Sequence, residues 1–417
     1  MTRLLGAALL LAATTAAADP PPAQPGALRV ATYNVAMYRD RAGQLYDELK
    51  TGQSQQAKRI AEVLRRVRPD VVLLNEFDFE EGTTRLVDSL RRQYLEAPAA
   101  EAADGLEPLR YEHFFYDPVN TGVDSGLDLD KDGKTGGPAD AWGYGRYPGQ
   151  YGMLLLSRLP INRWRTYREL PWRRQSGANW PKDPRTGEHF YTDSDRAVLR
   201  LSSKSFWDVQ VKLPAHKPGS RFHPLHLLCS HPTPPAFDGP EDRNGCRNFD
   251  EIRMIAKYIA GDQGSQFPVD PNERISEGDG HSTLPAGADF VVLGDLNADP
   301  YDGSGRPGAI AQLLDHPAID ARFVPSSRGG AAAARGSAEL NSTHKGDPAH
   351  DTSDFGGDGY GNLRVDYVLP SKTLQTIGGG IFWPLPGEPG AEAVRASDHR
   401  LVWLDLKPRG AASPAAE

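Results

Sequence analysis

Residues 289–300, Asp-Phe-Val-Val-Leu-Gly-Asp-Leu-Asn-Ala-Asp-Pro, end a short apolar run in a carboxylate and an amide two positions apart. A carboxylate can orient or deprotonate a water, and an amide can hold an oxyanion. Side chains at i and i+2 share one side of an extended chain, so Asp295 and Asn297 are expected to face one cleft at a strand's carboxyl end. The alternative is a polar turn closed by Asp299-Pro300. Other apolar runs end in the same way: at Asn34, at Asn75-Glu76, at His231, around Asp366, and beside Asp398-His399. A buried carboxylate without a partner is costly, so several of them at strand ends point to one shared polar cleft. Carboxylates and amides without cysteine suit a hard cation, Mg²⁺ or Mn²⁺. Two histidines beside carboxylates suit acid–base work or stabilisation of an oxyanion. Together these groups fit hydrolysis of a phosphate ester by a metal-activated water.

The elements that must carry them follow from periodicity. Alternating or continuously apolar runs predict strands over 28–35, 71–74, 151–157, 195–201, 224–230, 290–293, 363–369 and 401–406. One-sided apolar spacing predicts helices over 55–67 and 248–260. A helix capped by Thr83 is expected to run through Tyr94, and a short one to start at Pro307 and end at Leu314. Residues 97–150, 162–195 and 326–361 read as irregular. Within the first of these, Asp128, Asp130 and Asp132 precede Gly133 in the manner of an EF-hand loop. Position twelve of that loop is Ala139, and Asp140 comes one residue late, so a surface loop that binds Ca²⁺ is expected rather than a true EF-hand. The tract from His231 to Asn244 is stiffened by prolines and is expected to line the cleft, with Arg243 and Asn244 as substrate contacts; a rigid connector is the alternative.

Apolar runs recur along the 417 residues without a long linker, which predicts one large domain over 28–408. Residues 1–18 have a basic start, a short apolar stretch and an Ala-x-Ala-like end, as in a secretory signal peptide. Residues 19–27 are then a mature N-terminal tail and 409–417 a disordered C-terminal tail. A secreted or periplasmic, monomeric protein with no stable membrane association is expected. The formal net charge of −8 argues against a broad basic footprint for duplex DNA. The arginines at 163, 165, 168, 173 and 174 are read as a solvated face. Cys229 and Cys246 allow a disulfide or two buried thiols.

Tyr33-Asn34, Asn75-Glu76, Ser230-His231, Gly294-Asp295-Leu296-Asn297, Val365-Asp366-Tyr367 and Ser397-Asp398-His399 occur in one order along the chain. That order resembles the endonuclease/exonuclease/phosphatase superfamily, which includes pancreatic-type deoxyribonucleases, abasic-site endonucleases, inositol-polyphosphate phosphatases and neutral sphingomyelinases. The resemblance implies a four-layer α/β sandwich, two mixed β-sheets packed face to face with helices outside. It implies a metal held by Glu76 and Asp398 with Asn34 orienting the site. It implies that Asp295 handles the attacking water, that Asn297, His231 and His399 bind the phosphate, and that Asp366 holds the other ring nitrogen of His399. Ala36 stands where some members have an acidic residue, so a second metal there is not implied. Tyr151 is the nearest match to a phosphate-contacting tyrosine or arginine, with Gln150 as the alternative. The substrates implied are phosphate mono- or diesters, then nucleic acid, then a lipid headgroup. A calcium-dependent binding protein that keeps the fold is the non-enzymatic alternative.

Overall fold

The computed structural model describes residues 19–99, 105–213, 224–261, 274–275 and 283–408. The segment read as a signal peptide and the segment read as a C-terminal tail lie outside the described residues. In chain order the strands are β1 Leu28–Met37, β2 Val71–Phe77, β3 His113–Phe115, β4 Met153–Ser157, β5 Ile161–Thr166, β6 Phe206–Lys212, β7 Pro224–Ser230, β8 Arg274–Ile275, β9 Asp289–Asp295, β10 Ser353–Phe355, β11 Gly361–Leu363, β12 Asp366–Pro370, β13 Leu374–Ile381 and β14 Val402–Pro408. The α-helices are α1 Gln44–Leu49, α2 Gln55–Val67, α3 Arg85–Leu90, α4 Asp193–Val198, α5 Arg243–Ala260, α6 Ala311–Leu314 and α7 Arg328–Gly336.

Twelve strands form two six-stranded sheets, ordered β13-β14-β1-β2-β4-β3 and β12-β9-β7-β6-β5-β8. Each sheet has one parallel pair, β1 with β2 and β7 with β9, among antiparallel neighbours. Apolar residues on the inner faces, such as Val30, Leu73 and Leu404 on one sheet and Val209, Leu227 and Val291 on the other, pack in a single cluster. The outer face of the first sheet packs Ala31, Tyr33 and Leu74 against Ile60 and Leu64 of α2. The outer face of the second packs Leu228 and Val292 against Ile252 and Ile255 of α5. Helices, sheet, sheet and helices are the four layers that the family resemblance implies. Strands β2, β4 and β9 are buried on both faces, which is why Val71–Leu74, Met153–Leu156 and Phe290–Leu293 read as continuous apolar runs.

Local chemistry explains the departures from expectation. Residues 195–201, expected as a strand, begin inside α4. Thr192 Oγ1 accepts from the Asp195 amide at 3.2 Å and Asp195 Oδ2 accepts from the Thr192 amide at 2.9 Å. This reciprocal cap decides for helix over a short apolar run. In the stretch expected to be irregular, α7 starts where Ser327 Oγ accepts from the Gly330 amide at 3.0 Å, and four alanines follow. The helix after Thr83 is α3, which passes into one π turn over Arg91–Leu95. The helix expected from Pro307 forms only over α6. Cys229 and Cys246 are free, buried thiols.

Candidate active site

The carboxyl ends of the four parallel strands lie at one edge of the sandwich. Asn34 and Glu76 come from β1 and β2; His231 follows β7 and Asp295 ends β9. Antiparallel β12 begins at Asp366, directly across from Asp295, and His399 precedes β14 and bridges to Ser353. The two sheets are joined here by side chains. Asn34 Nδ2 donates to Asp295 Oδ2 at 3.0 Å, and the Asp295 amide donates to Asn75 Oδ1 at 3.2 Å. Gly294 permits the approach of β7 to β9, because a Cβ there would stand 1.9 Å from the Ser230 carbonyl oxygen.

Asp295 is the hub. Its Oδ2 lies 3.4 Å from His231 Nε2 and 3.7 Å from His399 Nε2. His399 Nδ1 lies 2.9 Å from Asp366 Oδ2, which also accepts from Thr352 Oγ1 at 2.8 Å. Burial alone would raise the Asp295 carboxyl, but His399, His231 and Asn34 outweigh it and hold the group well below the usual carboxylate range. Burial opposes charge on His399, yet Asp366 and Asp295 lift it to about 10, so the ring is an imidazolium at neutral pH. Burial and the Lys204 charge push His231 down to about 4, so that ring is neutral. Two histidines against one carboxylate thus carry different charges. Burial lifts Asp366 to about 6 against the pull of His399.

The cleft in front of this cluster has a volume of about 570 Å³. Glu76, Tyr151, Arg243, Asn244, Asp295, Asn297, Asp398 and His399 all line it. Asn34, His231 and Asp366 stand behind that wall, each almost wholly buried. Asn34 takes the Ala36 amide on its oxygen at 3.1 Å while its NH₂ holds Asp295. Its geometry is therefore that of an orienting donor rather than of a direct metal ligand. His231, expected at the phosphate, aims Nε2 at Asp295 and lies 3.9 Å from Glu76 Oε1. It stands in position to hold carboxylates.

Asp295 and Asn297 do face one cleft, although not along an extended chain. Asn297 has φ 50° and its amide donates to Asp295 Oδ1 at 3.0 Å, a side-chain-capped turn. Left-handed backbone is concentrated here. Of eight such non-glycine residues among those described, Ala36, Glu76, Tyr151, Phe237 and Asn297 line the cleft. Backbone strain of this kind gathers where side chains must be aimed. Tyr151 packs on Tyr38 with ring centroids 4.4 Å apart, whereas Gln150 is tied to the Arg146 amide and the Arg39 carbonyl. Of the two alternatives, Tyr151 is the one facing the cleft.

The donor set fits a hard cation. Glu76 and Asp398 share the cleft, and burial together with the Asp398 charge raises Glu76 to about 7 despite the opposing pull of His399, which leaves a carboxylate pair that a cation would relieve. In the loop before β4, Asp128 and Asp130 converge with Asp140; Asp132, expected in the set, does not join them. Asp140 turns inward because its oxygens accept from the Leu129 and Gly137 amides at 2.8 and 3.0 Å, and Asp128 Oδ1 is buried without a hydrogen bond.

Four positioning or charged groups carry no signal in the sequence. Lys204, 5% exposed, enters the cleft just before β6. Asn248 of α5 donates to the carbonyls of Thr233, Leu296 and Asn297 at 2.9 to 3.3 Å, joining the two loops that carry His231 and Asn297. Glu251 accepts from the Ser203 and Thr233 amides, each at 2.7 Å. Thr352 fixes Asp366.

The profile of the Endonuclease/Exonuclease/phosphatase family matches residues 31–399. The chain belongs to this family. Three structures of the family's fold class are similar to it. An endonuclease/exonuclease/phosphatase from Beutenbergia cavernae is 18% identical, with 94% of this chain and 73% of that one covered and a TM-score of 0.46. Sphingomyelinase C from Streptomyces griseocarneus is 16% identical, with 91% and 99% covered and a TM-score of 0.41. A beta toxin from Staphylococcus aureus, solved with bound magnesium ions, is 12% identical, with 91% and 99% covered and a TM-score of 0.42. No curated protein matches the chain by sequence. Metal-dependent phosphodiesterases and nucleases are members of the endonuclease/exonuclease/phosphatase family, and the order Asn34, Glu76, His231, Asp295, Asp366, His399 is spanned by the match.

Proposed function

We propose that this family member is an exported, monomeric, divalent-metal-dependent hydrolase of phosphate mono- or diesters. The reading is carried by Asp295, kept ionised between a neutral and a charged histidine at the floor of an open cleft. Glu76 and Asp398 would hold Mg²⁺ or Mn²⁺, with Asn34 orienting the carboxylates. When bound, the cation supplies neutralisation of phosphate charge and acidifies water. Asp295 accepts a hydrogen bond from the attacking water and orients it along the line to phosphorus; held this low, the carboxylate serves as a fixed acceptor rather than as a strong base. Asn297 donates its amide to a phosphate oxygen. His399, held by Asp366, presents a charged Nε2–H to a second oxygen, where negative charge grows in the transition state. Lys204 adds a second positive charge, and His231 keeps Asp295 in place.

Export rests on the leader-like segment 1–18, and among the described residues no helix is long and apolar enough to cross a membrane. A calcium ion held by Asp128, Asp130 and Asp140 is a separate, structural part of the proposal. The test is hydrolysis of bis-p-nitrophenyl phosphate and p-nitrophenyl phosphate. EDTA is expected to abolish it and Mg²⁺ or Mn²⁺ to restore it. Turnover indifferent to chelation would exclude this mechanism, and rapid cleavage of plasmid DNA with poor turnover of both small esters would favour a nuclease.

A further inference from the structure

The cleft has room for much more than a phosphate. Its volume of about 570 Å³ is in the range that holds a drug-sized organic molecule. Beyond Lys204 the wall is built by Thr121, Trp172, Tyr191, Thr233 and Arg243.

Charge distinguishes this wall. Lys204 and Arg243 lie on it together with Arg247, whose guanidinium donates to the carbonyls of Leu201, Trp142, Arg200 and Ser202 and is therefore locked in place. Arg243 and Arg247 belong to the start of α5, an 18-residue helix with no acidic residue in its first turn. The positive end of the helix dipole adds to their field. Glu241 pairs with Arg243, and Glu251 faces Lys204 and Arg247, so two carboxylates stand against three cations and one positive charge is left over. The lining contributed by Asp299, Asp302 and Asp358 is acidic. An anion entering the cleft is thus steered toward the Lys204 side.

The wall also has unused hydrogen-bonding groups. Thr121 and Thr233 are 1% and 7% exposed, and neither hydroxyl has a hydrogen-bond partner among the described residues. A buried hydroxyl left unpaired is costly, and an acceptor on a ligand would relieve that cost at either threonine. Flatness is the third property. Trp172 is fixed by its Nε1 donating to Asp250 Oδ2 at 2.6 Å, and Tyr191 and the stiff Pro234 and Pro235 also line the cleft.

We propose that this wall is a leaving-group subsite for a flat organic group that carries a second anionic substituent. The preferred substrates are then compact phosphate esters of that class. The inference rests on the phosphoesterase reading above and specifies its substrate. In the reaction the bond from phosphorus to the organic oxygen breaks, water oxygen bonds to phosphorus, and the proton released from water ends on the departing oxygen.

The test is calorimetric binding to the full chain in EDTA, where the proposed hydrolysis does not run, of three probes: inorganic phosphate, thymidine 5′-monophosphate and thymidine 3′,5′-bisphosphate. The bisphosphate is expected to bind at least tenfold more tightly than either of the others. In Arg243→Ala that advantage is expected to fall below threefold, with Arg243→Lys in between. A bisphosphate that binds wild-type protein no better than inorganic phosphate overturns the subsite, whatever the variants do. Since Kd is read without turnover, failure of the subsite and failure of the hydrolase reading are separate results.

Discussion

Asp295 and Asp366 face each other across adjacent antiparallel strands, and the His399 ring spans them, with Nδ1 2.9 Å from Asp366 Oδ2 and Nε2 3.7 Å from Asp295 Oδ2. Strand register therefore sets the orientation and the charge of the imidazole together. His399→Ala is expected to lower kcat by roughly 10²- to 10⁴-fold. Asp366→Asn, which leaves the ring in place without its anionic partner, is expected to cost about 10- to 100-fold. The double variant should be no slower than His399→Ala, because both changes remove one unit. Additive losses in steady-state kinetics would show that Asp366 acts separately.

Lys204 is buried beside Glu76, Asp295 and Glu251, and burial lowers its pKa against the pull of those carboxylates. Lys204→Met keeps the apolar stem and removes the charge. It should leave the melting temperature close to wild type and reduce kcat/KM by about 10- to 100-fold, the loss of one charge contact to the transition state. Full turnover in this variant would show that Lys204 has no part in the chemistry.

Asp351 tests the electrostatics away from the reacting groups. It is 7% exposed, and burial followed by Asp299, Asp302 and Asp347 raises it to about 7, with Arg364 opposing. A carboxyl raised in the folded state contributes stability that is complete below its unfolded pKa near 4 and is lost as pH rises through 7. Asp351→Asn is therefore expected to raise the melting temperature at pH 8, by on the order of 2 °C, and to have little effect at pH 4. A gain that does not grow with pH in calorimetric scans would contradict the assignment.

For the loop at Asp128, Asp130 and Asp140, millimolar Ca²⁺ added over saturating Mg²⁺ is expected to raise the melting temperature of wild-type protein and to leave Asp140→Asn unmoved. Equal shifts in the two proteins would show that these carboxylates hold no ion.

Much of this architecture was legible because the central strands are buried on both sides and stop at polar residues. The runs before Asn34, Glu76, His231 and Asp295 announced the strands and the shared cleft at which their side chains meet, whereas the pairing of two sheets followed from the family resemblance. What escaped depends on contacts between distant segments. Lys204 stands in a run of serines with nothing to mark its burial. Asn248 reads as an ordinary helical residue, and its three carbonyl partners come from two remote loops. The Thr192 cap made a helix where a count of apolar residues predicted a strand. In the acidic loop, regular spacing favoured Asp132, whereas backbone amides from residues 129 and 137 drew Asp140 inward. Gly294 stood in the motif without its reason, which is the carbonyl of Ser230 from another strand.

The bond from Asn34 to Asp295 and the one from Asp295 to Asn75 run between sheets that share no backbone ladder. A slip of one layer over the other by about an ångström would part these groups while every strand pairing survived, and a displacement of that size can cost an enzyme roughly a hundredfold in rate. The grease between the layers therefore does more than hold the protein together: its tight interlocking is the alignment mechanism of the chemistry, and a cavity cut at Leu227 or Val291 would be felt at Asp295.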